Sequence, residues 1–172
     1  SGVRFVTTSA GSPAKFIAPL HAAGIVVYHA VPTLEAALKS VDAGVDGLVV
    51  EGGEGGGFKS PTPVATMVLL PLVRSRVDVP IIAAGGIIDG ATMAAAFALG
   101  AEGVQMGTRM VSAAESPVHD NWKQAIVAAK AAWAKRFPSE GDPTVPSEFP
   151  RLYLRAEAVA LTVMAFGEAD QK

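Results

Sequence analysis

The chain predicts a parallel α/β fold on three observations: short β-branched runs recur, an alanine-rich stretch of helical spacing follows them, and small residues close the runs. Five runs, starting at Val3, Ile25, Val45, Val79 and Gly103, lie about 20 to 35 residues apart, roughly one βα unit each. The repeat is one of architecture, since the letters themselves do not recur.

The first strand is expected in VRFVTTSAG, Val3 to Gly11. Ser12 and Pro13 can open a helix behind it, the serine as N-cap and the proline at the first helical position, where no N–H is needed. Ala23-Gly24 stops that helix, and IVVYHAV, Ile25 to Val31, forms the second strand. Thr33 then caps LEAALKSVDAG, in which Leu34, Ala37, Leu38 and Val41 share a face at i, i+3, i+4 and i+7, and Gly44 closes it. VDGLVVEGG, Val45 to Gly53, is the third strand; the loop EGGGFKSPTP follows, then an apolar segment from Val64 to Val73 that should be helical in part despite Pro71. VPIIAAGG supplies the fourth strand. Asp89 caps a helix over Ala91 to Leu99, Gly100 ends it, and EGVQMGTRM supplies the fifth strand. The last third differs in character. SPVHDNWKQAIVAAKAAWAKRF reads as an amphipathic helix capped at Ser116, PSEGDPTVPSEFP carries four prolines and reads as a loop or crossing segment, and a final helix is expected over about Leu152 to Phe166.

Composition removes whole classes of function. With 172 residues, 50% hydrophobic and 17% charged, the chain can bury one sizeable core. A formal charge of −2, without a Lys/Arg cluster interleaved with aromatics, argues against a nucleic-acid partner. The absence of cysteine excludes disulfides, thiolate metal sites and a cysteine nucleophile. Three dispersed histidines, with no HxH or HxxxH spacing, argue against a metal. No apolar run reaches the ~18 residues of a membrane span and no leader pattern opens the sequence, so a cytoplasmic protein, or a piece of one, is expected, with no membrane partner.

In parallel α/β folds ligands sit at the carboxyl ends of the strands, and here those ends read Ser9-Ala10-Gly11, Gly52-Gly53, Gly85-Gly86 and Gly107-Thr108. Gly85-Gly86 and Gly107-Thr108 close consecutive strands, so their loops are neighbours whose N–H groups can converge on a phosphate. The plainer alternative is that the glycines only permit tight turns.

The segments DGLVVEGGEGGG, VPIIAAGGIIDGATMAAAFALGAEGVQMGTRM and ESPVHDNWK carry a specific resemblance. Over roughly Val3 to Lys123 the chain resembles the nitronate monooxygenase family, formerly 2-nitropropane dioxygenases, and the related FMN-dependent enoyl-acyl-carrier-protein reductases. The resemblance implies a TIM-type (β/α)8 barrel holding FMN, of which this chain would carry strands four to eight. It also implies an FMN-dependent oxidoreductase that oxidises a nitronate, or moves hydride to or from a small or acyl-type organic substrate. Carried over by motif, Gly85 and Gly86 with Gly107 and Thr108 form the FMN phosphate cradle, preceded on their strands by Ala84 and Met106. Glu51 and Gly52 fall beside the flavin, and Gly55, Gly56 and Gly57 match the family's Ala-Gly-Gly. The family's next residue is a histidine that acts on substrate. Here it is Phe58, and a phenyl ring cannot move a proton.

His29, at the end of the second strand, is the histidine placed to substitute for the missing one; a strand-end histidine merely hydrogen-bonded to its surroundings is the competing reading. Glu54 is a candidate acid or base, or else a loop anchor. His21, His119, Trp122 and Trp133 read as structural, Lys59 as solvated, and Arg109 as support behind the phosphate loop. Five strands cannot close an eight-stranded barrel, so residues 1–136 are expected to be the C-terminal portion of an FMN-binding barrel, part of a longer protein, with 137–172 a Pro-rich loop and a helix packing on it. A small-molecule substrate, NAD(P)H as electron donor and a homo-oligomer are the candidate partners. Two other readings stay open: a degenerate or partial barrel acting as a non-catalytic phosphate- or flavin-binding module, and a redox-free phosphate-binding barrel.

Overall fold

In the computed structural model the described residues are 2–56, 60–136 and 163–166. Strands β1 (Phe5–Thr8), β2 (Val26–Val31), β3 (Gly47–Glu51), β4 (Ile81–Ala84) and β5 (Gly103–Met106) stand side by side in chain order, each parallel to the next. Between them run α1 (Ala14–Ala22), α2 (Leu34–Asp42), α3 (Thr66–Arg74) and α4 (Gly90–Ala98), and after β5 come α5 (Thr108–Val111) and α6 (Asp120–Arg136).

Side chains alternate across each strand and sort the sheet into two faces. Val27, Val31, Leu48, Val50, Ile81, Ala83 and Val104 form one cluster with Ile17, Ala37, Leu69, Leu70, Val73 and Ala96 of the helices. Tyr28, Val49, Ile82 and Ala84, with Phe5 and Ala30, occupy the opposite face. All four crossover helices therefore lie on one side, and the strand order never reverses. This is the winding of a (β/α) barrel; a doubly wound sheet would put helices on both faces. Each fully buried Val, Leu or Ile contributes about 1.5–3 kcal/mol, so the helix-facing layer dominates the stability of this part.

Local chemistry sets the helix ends. Thr33 accepts a hydrogen bond from the Ala36 N–H at 3.1 Å and caps α2. Asp89 accepts from the Thr92 N–H at 2.9 Å, while the Thr92 hydroxyl accepts from the Asp89 N–H at 3.1 Å, a reciprocal capping box. At α1 the cap position is Pro13, and Ser12 accepts only a long 3.4 Å bond from the Ala14 N–H, so the serine sits one residue too early to cap. α3 runs unbroken through Pro71, because burial of Leu69, Leu70 and Val73 offsets the roughly 3 kcal/mol that an interior proline costs.

Three expected elements differ. The fifth strand stops at Met106: Gly107 turns the chain and Thr108 opens α5, where EGVQMGTRM reads as one strand. The helix read from Ser116 begins at Asp120. Val163–Phe166 is β6, a strand antiparallel to β5 that pairs Gly103 with Phe166 and Met106 with Val163, where the end of a helix over Leu152 to Phe166 was expected. Val and Phe are good strand formers, and pairing satisfies the edge groups of β5. Residues 152–162 of that helix, and the Pro-rich 138–150, lie outside the described residues.

Candidate functional site

The register across the sheet puts Glu51 opposite Ala84 and Ala84 opposite Gln105, so these three share one layer at the carboxyl end of the helix-free face. Below them lie Ala30, Val49, Ile82 and Gly103, then Thr7, Tyr28 and Gly47. The rings of Phe5 and Tyr28 pack at 4.9 Å between centroids. Above this face rise the loops after β3, β4 and β5.

The Gly85-Gly86 turn is left-handed at both residues, with φ of +94° and +71°. A Cβ on Gly85 would lie 2.8 Å from the Gly55 nitrogen and 2.9 Å from Thr66 Oγ1, so protein crowds this glycine. Gly86 is exposed, and the nearest atom to a Cβ there would be Glu54 Cγ at 3.4 Å. Around a Cβ on Gly107 no atom lies within 4 Å. Among the described residues, the N–H groups of Gly85, Gly86 and Thr108 make no hydrogen bond within the turns, loops and caps, whereas the next turn is closed by Gly107, whose carbonyl accepts from Met110 and Val111. Donors without protein acceptors, on an open rim between adjacent strand ends, suit an anion. Asp89 stands beyond this turn, its carboxyl held below the usual carboxylate range chiefly by the Thr92 N–H and hydroxyl and in small part by the Arg109 charge.

Glu54 anchors the loop. Its carboxylate accepts the Thr66 N–H at 3.0 and 3.3 Å and lies 3.0 Å from the Thr66 hydroxyl, capping α3 from a distance because Ala65, the cap position, has no side-chain oxygen. Its contacts are those of the loop-anchor reading. Glu51 lies on the shared layer, with Gly55 packed against its carboxylate. Gly52 is buried, and a Cβ on it would overlap Thr66. Gly56 is half-buried, while Gly57, Phe58 and Lys59 lie outside the described residues. A shallow cleft beside this loop is lined by Pro32, Glu51, Gly52, Ser60, Pro63 and Val64.

His29 is 3% exposed and shares the helix-facing side with Val27 and Val31. Nε2–H donates to the Gly11 carbonyl at 3.2 Å and Nδ1 lies 2.8 Å from the Thr8 hydroxyl, so both nitrogens are engaged. Burial pushes its pKa down, with the Gly11 bond a smaller opposing influence. The structure thus does not bring His29 to the layer of Glu51, Ala84 and Gln105. His21 pairs with Asp46 at 2.9 Å, and His119 Nδ1 accepts from the Asn121 N–H at 3.1 Å just before α6. Met106 packs with the helix-facing cluster, leaving its backbone as its contribution to the rim. Sequence reading missed Gln105 and Thr66. Strand alternation from Ala84 would have exposed the first, but no local pattern marks Thr66, which matters through residues 12 and 18 positions away. Among the described residues no His, Asp and Glu cluster could hold a metal, and no helix is long and apolar enough to cross a membrane.

Comparison with known proteins gives this arrangement a lineage. The nitronate monooxygenase family model matches residues 1–135. The chain is 44% identical over 126 residues to a Rhodococcus jostii protein named (3aS,4S,5R,7aS)-5-hydroxy-7a-methyl-1-oxo-octahydro-1H-indene-4-carboxyl-CoA dehydrogenase, an alignment covering 73% of this chain and 35% of that protein. Among solved structures it is similar to FabK from Thermotoga maritima, with a TM-score of 0.68 and 48% identity over 72% of this chain and 39% of that one. Nitroalkane oxidase from Streptomyces ansochromogenes gives a TM-score of 0.65 and 31% identity over 73% and 39%. The chain thus spans a little over a third of the length of these proteins, and its five parallel strands are a portion of their barrel. On the family match over residues 1–135 and the similarity to these solved structures, the chain belongs to the nitronate monooxygenase family.

Proposed function

We propose that this chain supplies the phosphate-binding side of an FMN site in an oxidoreductase that moves hydride to or from a bulky acyl thioester. The carrying observation is the pair of adjacent rim turns, Gly85-Gly86 and Gly107-Thr108, whose N–H groups have no protein acceptor among the described residues. They fit a phosphate: Gly107 leaves open space where a side chain would stand, Gly86 is exposed with only Glu54 beside it, and the Thr108 hydroxyl adds a donor. Bound FMN supplies two-electron chemistry; the protein supplies position and environment. In this reading Gly86, Gly107 and Thr108 hold the phosphate, Glu51 and Gln105 present polar groups at the end of the helix-free face, and Ala84 keeps the wall between them small.

The acyl thioester is favoured by Phe58, which occupies the family's histidine position in the motif, and by the similarity to a protein named as a carboxyl-CoA dehydrogenase. Without a proton-moving group there, nitronate oxidation should be slow, since loss of a general base costs about 10²–10⁴ in rate. An apolar ring at that point still suits hydride transfer with an apolar substrate. The test compares oxygen consumption with propionate 3-nitronate by the wild type and by Phe58→His at equal flavin loading, beside turnover of a cyclic acyl-CoA. Faster nitronate turnover by the histidine variant, with acyl-CoA turnover confined to the wild type, is expected. A wild type that oxidises nitronates as fast as Phe58→His contradicts the substrate assignment.

A further inference from the structure

Thr66 is 1% exposed, and two other segments, the end of β4 and the loop after β3, meet at its hydroxyl. The Oγ1 atom lies 2.9 Å from the Ala84 carbonyl at the end of β4, 3.0 Å from Glu54 in the loop after β3, and 2.9 Å from where a Cβ on Gly85 would stand. The Ala84 carbonyl also accepts from the Gly52 N–H at 3.2 Å, and the Gly55 N–H donates to the Gly52 carbonyl at 3.1 Å. A single hydroxyl proton is thus shared between a carbonyl and a carboxylate, in the space kept clear by Gly52 and Gly85. Apolar packing alone needs no such arrangement, because a valine would fill the same volume.

We propose that Thr66 is a positioning residue whose hydroxyl, held between Glu54 and the Ala84 carbonyl, sets the direction in which the Gly85-Gly86 turn presents its N–H groups to a phosphate. The inference rests on the FMN reading above and adds to it a determinant that touches no ligand. Ala84 is the last residue of β4, and its carbonyl belongs to the peptide that carries the Gly85 N–H. Rotating that peptide to find another partner would swing the N–H away from the rim, because carbonyl and N–H of one peptide are coplanar. Losing the hydroxyl would also leave the buried Ala84 carbonyl with one partner fewer, which favours such a rotation.

Because the effect acts on the phosphate and not on the ring, the experiment compares two ligands that differ only there. Apoprotein of the full chain is titrated with FMN and with riboflavin, following flavin fluorescence, for the wild type, Thr66→Val, Thr66→Ser and Thr66→Ala, with thermal melts alongside. The expected result is a preference for FMN over riboflavin that falls about tenfold in Thr66→Val, the size of one hydrogen bond, and is retained within about twofold in Thr66→Ser. Should the valine variant fail to fold, Thr66→Ala must show the same loss of preference. A general weakening of the fold would lower both affinities together and leave their ratio unchanged, which overturns the proposal, as does a serine variant that loses as much as valine. A wild type that binds neither flavin overturns the FMN reading and this inference with it; one that prefers FMN, with Thr66 variants that keep the preference, overturns the inference alone.

Discussion

Gly85 and Gly86 look alike in sequence and answer to different constraints. Gly85 is left-handed and crowded by Gly55 and Thr66, whereas Gly86 is left-handed and exposed with only Glu54 beside it, so a side chain at 86 meets backbone strain instead of a wall. Thr108 opens α5 directly after the Gly107 turn: on the FMN reading, Thr108→Val is expected to weaken FMN binding by about 1.5 to 3 kcal/mol, the range for a hydrogen bond to a charged group, as measured by titration of the apoprotein. His29 makes the opposite case. Its folded pKa is depressed by burial, so between its folded value and the unfolded value near 6.5 the unfolded chain binds more protons. Stability is then fully present above that unfolded value and is lost as pH falls from it toward the folded pKa. Denaturant unfolding at a series of pH values should show this loss in the wild type and not in His29→Gln, and the variant should lose less than the factor of about 10² expected on removing a general base. The glycine-lined rim at the strand ends was legible at this scale because glycine pairs ending strands are a local signal. The environment of His29 was not, because which face a strand-end side chain takes depends on register with its neighbours.

The elements follow their caps and periodicities closely where those signals are local. Thr33 is the cap of α2 that the sequence indicates, and Thr33→Ala is expected to lower stability by about 1 kcal/mol, read from the denaturation midpoint at unchanged slope. The boundaries that sequence misplaces have a common cause. EGVQMGTRM is strand-like to its last residue, yet the Gly107 turn and the start of α5 divide it. Val163 to Phe166 carries helix-like spacing with its upstream residues but pairs with β5, a tertiary preference invisible in a window of one element. Pro71 shows the same priority in α3, where buried neighbours outweigh a local breaker.

For the whole molecule, the βα repeat spacing was enough to infer a parallel sheet, but not that α1 to α4 lie on one face; that came from the resemblance and is now visible in the packing. The consequence is functional: parallel pairing gathers the carboxyl ends of β1 to β5 onto one rim, and the register places Glu51, Ala84 and Gln105 in a single layer beneath it. The chain spans a little over a third of the relatives it matches, so substrate groups can come from outside this portion, while the two rim turns proposed to hold phosphate lie within it. The central claim is therefore the cofactor, and the absorption spectrum of the purified full-length protein tests it most directly. The account expects the bands of oxidised flavin at about one FMN per chain, either as purified or after FMN is added, and expects them to be lost in Gly86→Leu. A colourless wild-type protein that takes up no added FMN would contradict it.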